Sequence, residues 1–282
     1  DCWTDLIGNI VDMYRRGAIQ PEMDLPEVLE MANFEKMESI RKRVEESVDN
    51  SEIAEALKPW YALFCKRPCF DDEYLPTFNR ENVDLIDTSG LGVEKITPNG
   101  VVVAGQEYEV DCIIFATGFE VGTGYERRAG CKVVGADGRT LTEKWDEHGV
   151  STLHGLQTSG YPNYFMLSAN QGAFTVNFPH LLEEAATNAV CIIKHIIEEG
   201  YLTVDVEQEA EAEWVKTIIE KARGPIGAGP GSTECTPGYY NNEGHLNEKA
   251  RQGAPYGGGS VEFFKLMEDW RAKGDFKGLE FK

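Results

Sequence analysis

Apolar positions recur at helical spacing through the first third of the chain. Leu6, Ile10, Val11 and Tyr14 form one such series, and Met31, Phe34, Met37, Ile40 and Val44 form a second. Pro21 and Pro26 punctuate between them, so a second helix is expected to open at Asp24 or Leu25-Pro26. Ser51 is expected to cap a short third helix. The pattern then changes to strands. Val83–Asp87 alternates, and Asn99-Gly100 between Val93–Ile96 and Val101–Val103 predicts a hairpin. Residues Asp111–Phe115 carry the apolar run Ile113-Ile114-Phe115, the pattern of a strand buried on both faces, ahead of three small residues, Ala116-Thr117-Gly118. A core strand with a plain tight turn fits the same residues. Ala136–Arg139 predicts another turn flanked by short strands, and Tyr164–Leu167 a further buried strand. Helices are expected over Val176–Glu199, ending at Gly200; over Asp205–Arg223, with Ala210, Trp214, Ile218 and Ala222 on one face; and over Val261–Lys273. The Gly/Pro-rich stretch 224–259 reads as a mobile, functional loop. Helices, mixed strands and more helices make an α/β fold class.

Composition narrows the function. Hydrophobic residues form 41% of the 282, enough for a core, and no apolar run is long enough to span a bilayer. The 48 acidic against 27 basic residues give a formal charge of −21, which excludes nucleic acid as an expected partner. The seven cysteines are scattered, which favours a reducing compartment, the cytoplasm, over a disulfide framework. Cys65 and Cys69 read as packing residues, with no second pair to complete a zinc site. The five histidines form no visible metal or nucleophile–base set, so no metal is expected.

Five stretches carry a family resemblance. They are Lys66-Arg67-Pro68; Tyr74 with Phe78-Asn79-Arg80 and Asn82-Val83; Asp111 to Phe119; Gly160-Tyr161-Pro162-Asn163-Tyr164-Phe165; and Gly238-Tyr239-Tyr240-Asn241-Asn242. In order and spacing they resemble the Baeyer–Villiger monooxygenases, two-dinucleotide flavoproteins. The last stretch and Phe174–Pro179 look most like the branch acting on steroids and large-ring ketones. The resemblance implies the C-terminal part of a fold with two dinucleotide-binding domains. Residues 1–60 would be a helical segment of the NADPH domain, 61–118 its remainder with the crossover strand, and 119–282 the C-terminal part of the FAD domain. It also implies FAD and NADPH as cofactors, and a ketone and O2 as substrates, giving an ester or lactone.

Site roles follow from the same resemblance. Arg67 falls at the family's catalytic arginine, where a fixed cation would make an oxygen-derived anion tolerable away from water. Read from its neighbours alone, it is a surface arginine beside Asp71 and Asp72. Lys66 matches a lysine near the NADPH phosphates, with a solvated lysine as the alternative. Ala116, Thr117 and Gly118 are expected to pass close to the cofactors. Asn170, Gln171 and Gly172 are expected to face the flavin, although the family more often has Gly-Pro at Ala169-Asn170; as loop amides they could instead cap the helix at Thr175 or Val176. Tyr239 is expected on a segment folding over NADPH, where many members place tryptophan. Phe174, Phe178 and Tyr256 are candidates for a substrate pocket or for core. The chain contains no Gly-x-Gly-x-x-Gly between a strand and a helix; Gly227–Ser232 is the nearest text match and includes Pro230. The isolated chain is therefore expected to be an inactive portion of a longer enzyme. An amine- or sulfide-oxygenating flavoprotein and a truncated non-catalytic fragment remain as alternatives.

Overall fold

The structure is a computed structural model. It describes residues 2–20, 22–63, 65–66, 68–119, 124–175, 177–222 and 249–282, without the side chains of 2–7, 25–26 and 250–251. The described residues fall into two units, one up to residue 119 and the other from residue 124 onward.

The first unit opens with α1 (Cys2–Arg15), α2 (Leu25–Ser47) and α3 (Ser51–Leu57). Helix α2 starts where its proline and acids indicate. Asp24 accepts from Glu27 N, and the Glu27 carboxylate accepts from Asp24 N, a reciprocal capping box. Helix α3 is capped by Asn50 rather than Ser51; the Asn50 carbonyl accepts from Glu52 N and Ile53 N. The buried stripe of α2 is Val28, Ala32, Met37, Arg41 and Val44, whereas Met31 and Phe34 are exposed. Counting apolar residues alone finds Met37 and Val44 on this face but adds the exposed Met31 and Phe34, because a buried arginine, Arg41, takes an inner position.

After α4 (Tyr74–Thr77) comes a three-stranded antiparallel sheet of β1 (Lys95–Ile96), β2 (Gly100–Val103) and β3 (Gln106–Glu109), in that order. The Asn99-Gly100 turn forms as expected, pairing Ile96 with Val101. Gly100 is required by close approach, since a Cβ there would lie 1.9 Å from Tyr108 O. Two strand expectations fail in this unit. Residues 83–87 form no ladder. Residues 111–115 do not form a buried strand: Ile114 is 85% and Phe115 71% exposed. An apolar run becomes a central strand only when neighbours hydrogen-bond both of its edges, and no strand among the described residues pairs with it.

The second unit contains α5 (Tyr125–Ala129), α6 (Leu141–His148), α7 (Phe178–Glu199), β4 (Val204–Val206), α8 (Gln208–Lys221), α9 (Ser260–Lys273) and β5 (Leu279–Phe281). The 136–139 turn forms, but its flanks make only a single bridge, Val134 to Thr140. Helix α7 begins at Phe178, two residues later than expected, because Asn177 caps it by accepting from His180 N. Helix α8 begins at Gln208, because Val204–Val206 pairs antiparallel with β5. Residues 164–167 form no ladder, although Met166 is buried and its N–H donates to Leu156 O. The core gathers Leu153, Leu156, Ile192, Val204, Trp214, Ile218, Tyr256, Phe263, Met267, Trp270, Phe276 and Leu279. The result is helices with small sheets, a partial α/β architecture.

Candidate functional site

The segment leading to Lys66 is tied to α2. Asn33, buried on α2, accepts from Leu63 N at 2.9 Å, and Leu63 packs on Met37. Arg41 donates to Pro59 O at 3.0 Å and to Glu38 at 2.7 Å, and its guanidinium lies 4.8 Å from the Trp60 ring. Lys66 follows, half-buried, with its ammonium 5.5 Å from the Tyr61 ring. Burial pushes the Tyr61 phenol up from its ordinary pKa. Arg67 and Tyr239, assigned from the family resemblance, lie outside the described residues. Cys65 is disulfide-bonded, a correction to its reading as a packing residue, while Cys112, Cys131 and Cys191 are free.

Ala116, Thr117 and Gly118 are all exposed. Gly118 takes φ +99°, and a Cβ at this position would meet nothing within 4 Å. Backbone of this kind admits a bulky ligand.

In the second unit, residues 168–173 form a loop pressed against Gly155, where a Cβ would lie 2.6 Å from Asn170 O. Gln171 is fully buried at φ +56°. Its Oε1 accepts from Thr152 N at 2.8 Å and Thr152 Oγ1 at 2.6 Å, and its Nε2 donates to Val150 O and Gln252 O, both at 2.8 Å. These bonds use the full capacity of the amide. The side chain is thus a tether between 150–152 and 252, and it caps no helix. Gly172 is buried, and its carbonyl accepts from Tyr256 N at 2.8 Å. Asn170 is half-buried, and its carboxamide makes no hydrogen bond among the described residues. In this loop, Asn170 has the side chain free to meet a cofactor.

Several residues that carry the resemblance have structural work. Asn79 accepts from Asp49 N and donates to Ser47 O, closing the end of α2. Asn163, at φ +59°, accepts from Val204 N and donates to Leu202 O, which anchors β4. Tyr256 is core rather than pocket: it stacks on Trp214 at 5.6 Å, and its hydroxyl donates to Glu262 at 2.5 Å. Phe174 and Phe178 are exposed.

Two polar features gave no sequence signal. Lys144 on α6, half-buried, meets the buried Glu211 on α8 at 3.0 Å, with Thr158 and Ser159 completing the network. His154 stands edge-on between Trp214 at 4.8 Å and Trp270 at 5.2 Å, and burial lowers its pKa to about 4. A lone histidine in a polar stretch shows neither neighbour in sequence.

For FAD and NADPH, the fit is partial. Backbone at 116–118 and the Asn170 amide could meet a cofactor, but the described residues provide no glycine-rich phosphate cradle. Among them, no group of three His, Cys, Asp or Glu side chains could hold a metal ion, and no helix is long and apolar enough to cross a membrane.

The chain is 43% identical over 285 aligned residues to neopentalenolactone D synthase of Streptomyces avermitilis, covering all of this chain and 47% of that protein. It is 41% identical over 262 residues to Baeyer–Villiger monooxygenase 4 of Dietzia, covering 93% of this chain and 42% of the relative. Among solved structures, the polycyclic ketone monooxygenase of Thermothelomyces thermophila superposes with a TM-score of 0.80 at 34% identity, over 90% of this chain and 41% of that one. By sequence and by fold, the chain is homologous to a portion of the Baeyer–Villiger monooxygenases. It spans less than half the length of these relatives. No protein-family model matches it.

Proposed function

We propose that this chain supplies part of the active site of an NADPH- and FAD-dependent Baeyer–Villiger monooxygenase. The overall reaction is ketone plus O2, NADPH and a proton going to ester or lactone, NADP+ and water. Bound FAD would supply the oxygen-activating redox chemistry. Arg67 would place a permanent cation beside the oxygen-derived anion. Lys66, on a segment fixed by Asn33 and Arg41, would meet the NADPH phosphates. Residues Ala116–Gly118 would approach the cofactors through backbone, and Asn170 through its free amide. Gly172 would contribute backbone, and Gln171 would hold that loop without touching the flavin itself. Tyr239 would stack over NADPH. The substrate class would be polycyclic, steroidal or large-ring ketones, and the compartment the cytoplasm, which the free Cys112, Cys131 and Cys191 support against a disulfide at Cys65.

The observation that carries this reading is the 34% identical superposition on a ketone monooxygenase over 90% of the chain. The test uses the complete flavoprotein that contains this segment. Supplied with NADPH, a polycyclic ketone and 18O2, it should form an ester carrying one labelled oxygen. Oxygenation of amines or sulfides with ketones left untouched would point to the other class of flavin monooxygenase. NADPH oxidation with no oxygenated product would refute the reading.

A further inference from the structure

Gln171 holds a left-handed backbone, φ +56°, at a fully buried position. Few residues other than glycine adopt that conformation, and it persists only where the surroundings over-determine it. Here they do. Besides the four bonds of its side-chain amide, its N–H donates to Ala254 O at 3.0 Å, and its carbonyl accepts from Trp214 Nε1 at 3.1 Å. Every polar group of the residue is therefore engaged.

Trp214 reaches this loop from α8, more than forty residues away in sequence. It is buried, and its ring stacks on Tyr256 with 3° between the planes. The Tyr256 N–H donates to Gly172 O at 2.8 Å, so the stacked pair grips two successive carbonyls, those of Gln171 and Gly172. Ala254 O and Trp214 thus fix the peptide planes on the two sides of Gln171. Peptide planes are rigid, so the preceding residue, Asn170, has little backbone freedom left. Its carbonyl also faces Gly155, where a Cβ would lie 2.6 Å away. What stays uncommitted is the Asn170 carboxamide.

We propose that Trp214 is a positioning residue, whose indole N–H holds the left-handed turn at Gln171 so that the Asn170 amide is presented to the flavin. The inference rests on the reading of Asn170 as a flavin contact given under the proposed function. Trp214 acts through the loop, because its single N–H is spent on Gln171 O.

The test is a double-mutant cycle on FAD affinity, measured by fluorescence titration of the flavin-free complete flavoprotein. Asn170→Ala should weaken FAD binding about fivefold, the loss of one hydrogen bond. Trp214→Phe removes the N–H but keeps a ring beside Tyr256, and should weaken binding by about the same factor. The double variant should bind no worse than either single one, whereas independent sites would give a loss of about 25-fold. A merely structural role for Trp214 would give that additive result. Additive losses, or wild-type affinity in Trp214→Phe, would overturn the inference and leave Asn170 as a flavin contact. Wild-type affinity in Asn170→Ala would overturn the reading of Asn170 and the inference with it. If Trp214→Phe does not fold, the indole 15N–1H signals of the wild-type protein decide the question. FAD should shift the Trp214 signal and leave that of Trp270, whose N–H donates to Lys277 O, in place. An unmoved Trp214 signal, or equal shifts of both, would overturn the inference.

Discussion

Removing the Glu211 carboxylate gives the sharpest test of what holds the second unit together. Lys144 Nζ lies 3.1 and 3.0 Å from the two Glu211 oxygens and donates to Thr158 Oγ1 and Ser159 O, both at 2.8 Å. Glu211 also accepts from Thr158 Oγ1 at 2.7 Å and Ser159 N at 3.1 Å. Glu211→Ala leaves a half-buried ammonium without its counter-charge and two buried donors without an acceptor. Breaking one side of such a pair costs about 3–5 kcal/mol. Against a typical domain stability of roughly 5–15 kcal/mol, that is a large fraction. Urea unfolding followed by tryptophan fluorescence should show the loss, and the thermal midpoint should fall by about 10 °C. The double variant Lys144→Met/Glu211→Leu, which removes both charges, should recover most of it. A single variant within about 0.5 kcal/mol of wild type would place Glu211 among ordinary surface positions and refute the reasoning.

Further outcomes follow from the same structure. His154 has a folded pKa of about 4 against 6.5 unperturbed, so its contribution to stability is complete above pH 6.5 and is lost as pH falls toward 4. Stability of wild type minus that of His154→Phe should therefore fall by about 3 kcal/mol between pH 7 and pH 4; a flat difference would contradict the burial of the ring. Gly100→Ala drives a methyl into Tyr108 O, and should destabilise the hairpin by on the order of 3 kcal/mol, seen as faster amide exchange at Val101 and Val103. Gln171→Leu keeps roughly the same bulk but strips partners from Thr152 N, Val150 O and Gln252 O, and should lower stability by about 3 kcal/mol or more in thermal unfolding; a neutral result would deny the tether.

The sequence revealed helices and the 99–100 hairpin because their signals are local: the Asp24 cap, the proline at the start of α2 and the Asn-Gly turn each act over a few residues. Strands were harder to read. Ile113-Ile114-Phe115 has the composition of a central strand, but a strand also needs partners, and none of the described residues provides one. The 204–206 strand was hidden in front of α8 because its pairing partner lies more than seventy residues away, at 279–281. Arg41 hid the true inner face of α2 because a guanidinium that finds a carbonyl and an indole can be buried like an apolar residue. At the candidate site, the family motifs pointed to Lys66 and the 170–172 loop. They did not distinguish Gln171, whose amide is fully used inside the protein, from Asn170, whose amide is not. That distinction depends on Thr152, Val150 and Gln252, which only the fold brings together.

The most direct measurement compares the complete flavoprotein with its Arg67→Ala variant in two assays: flavin reduction by NADPH, and ester formation from a ketone under oxygen. Reduction should proceed at close to the wild-type rate, while ester formation falls by at least a hundredfold and NADPH is consumed without product. Ester formation at the wild-type rate would show that the oxygen-transfer step does not depend on a cation contributed by this segment.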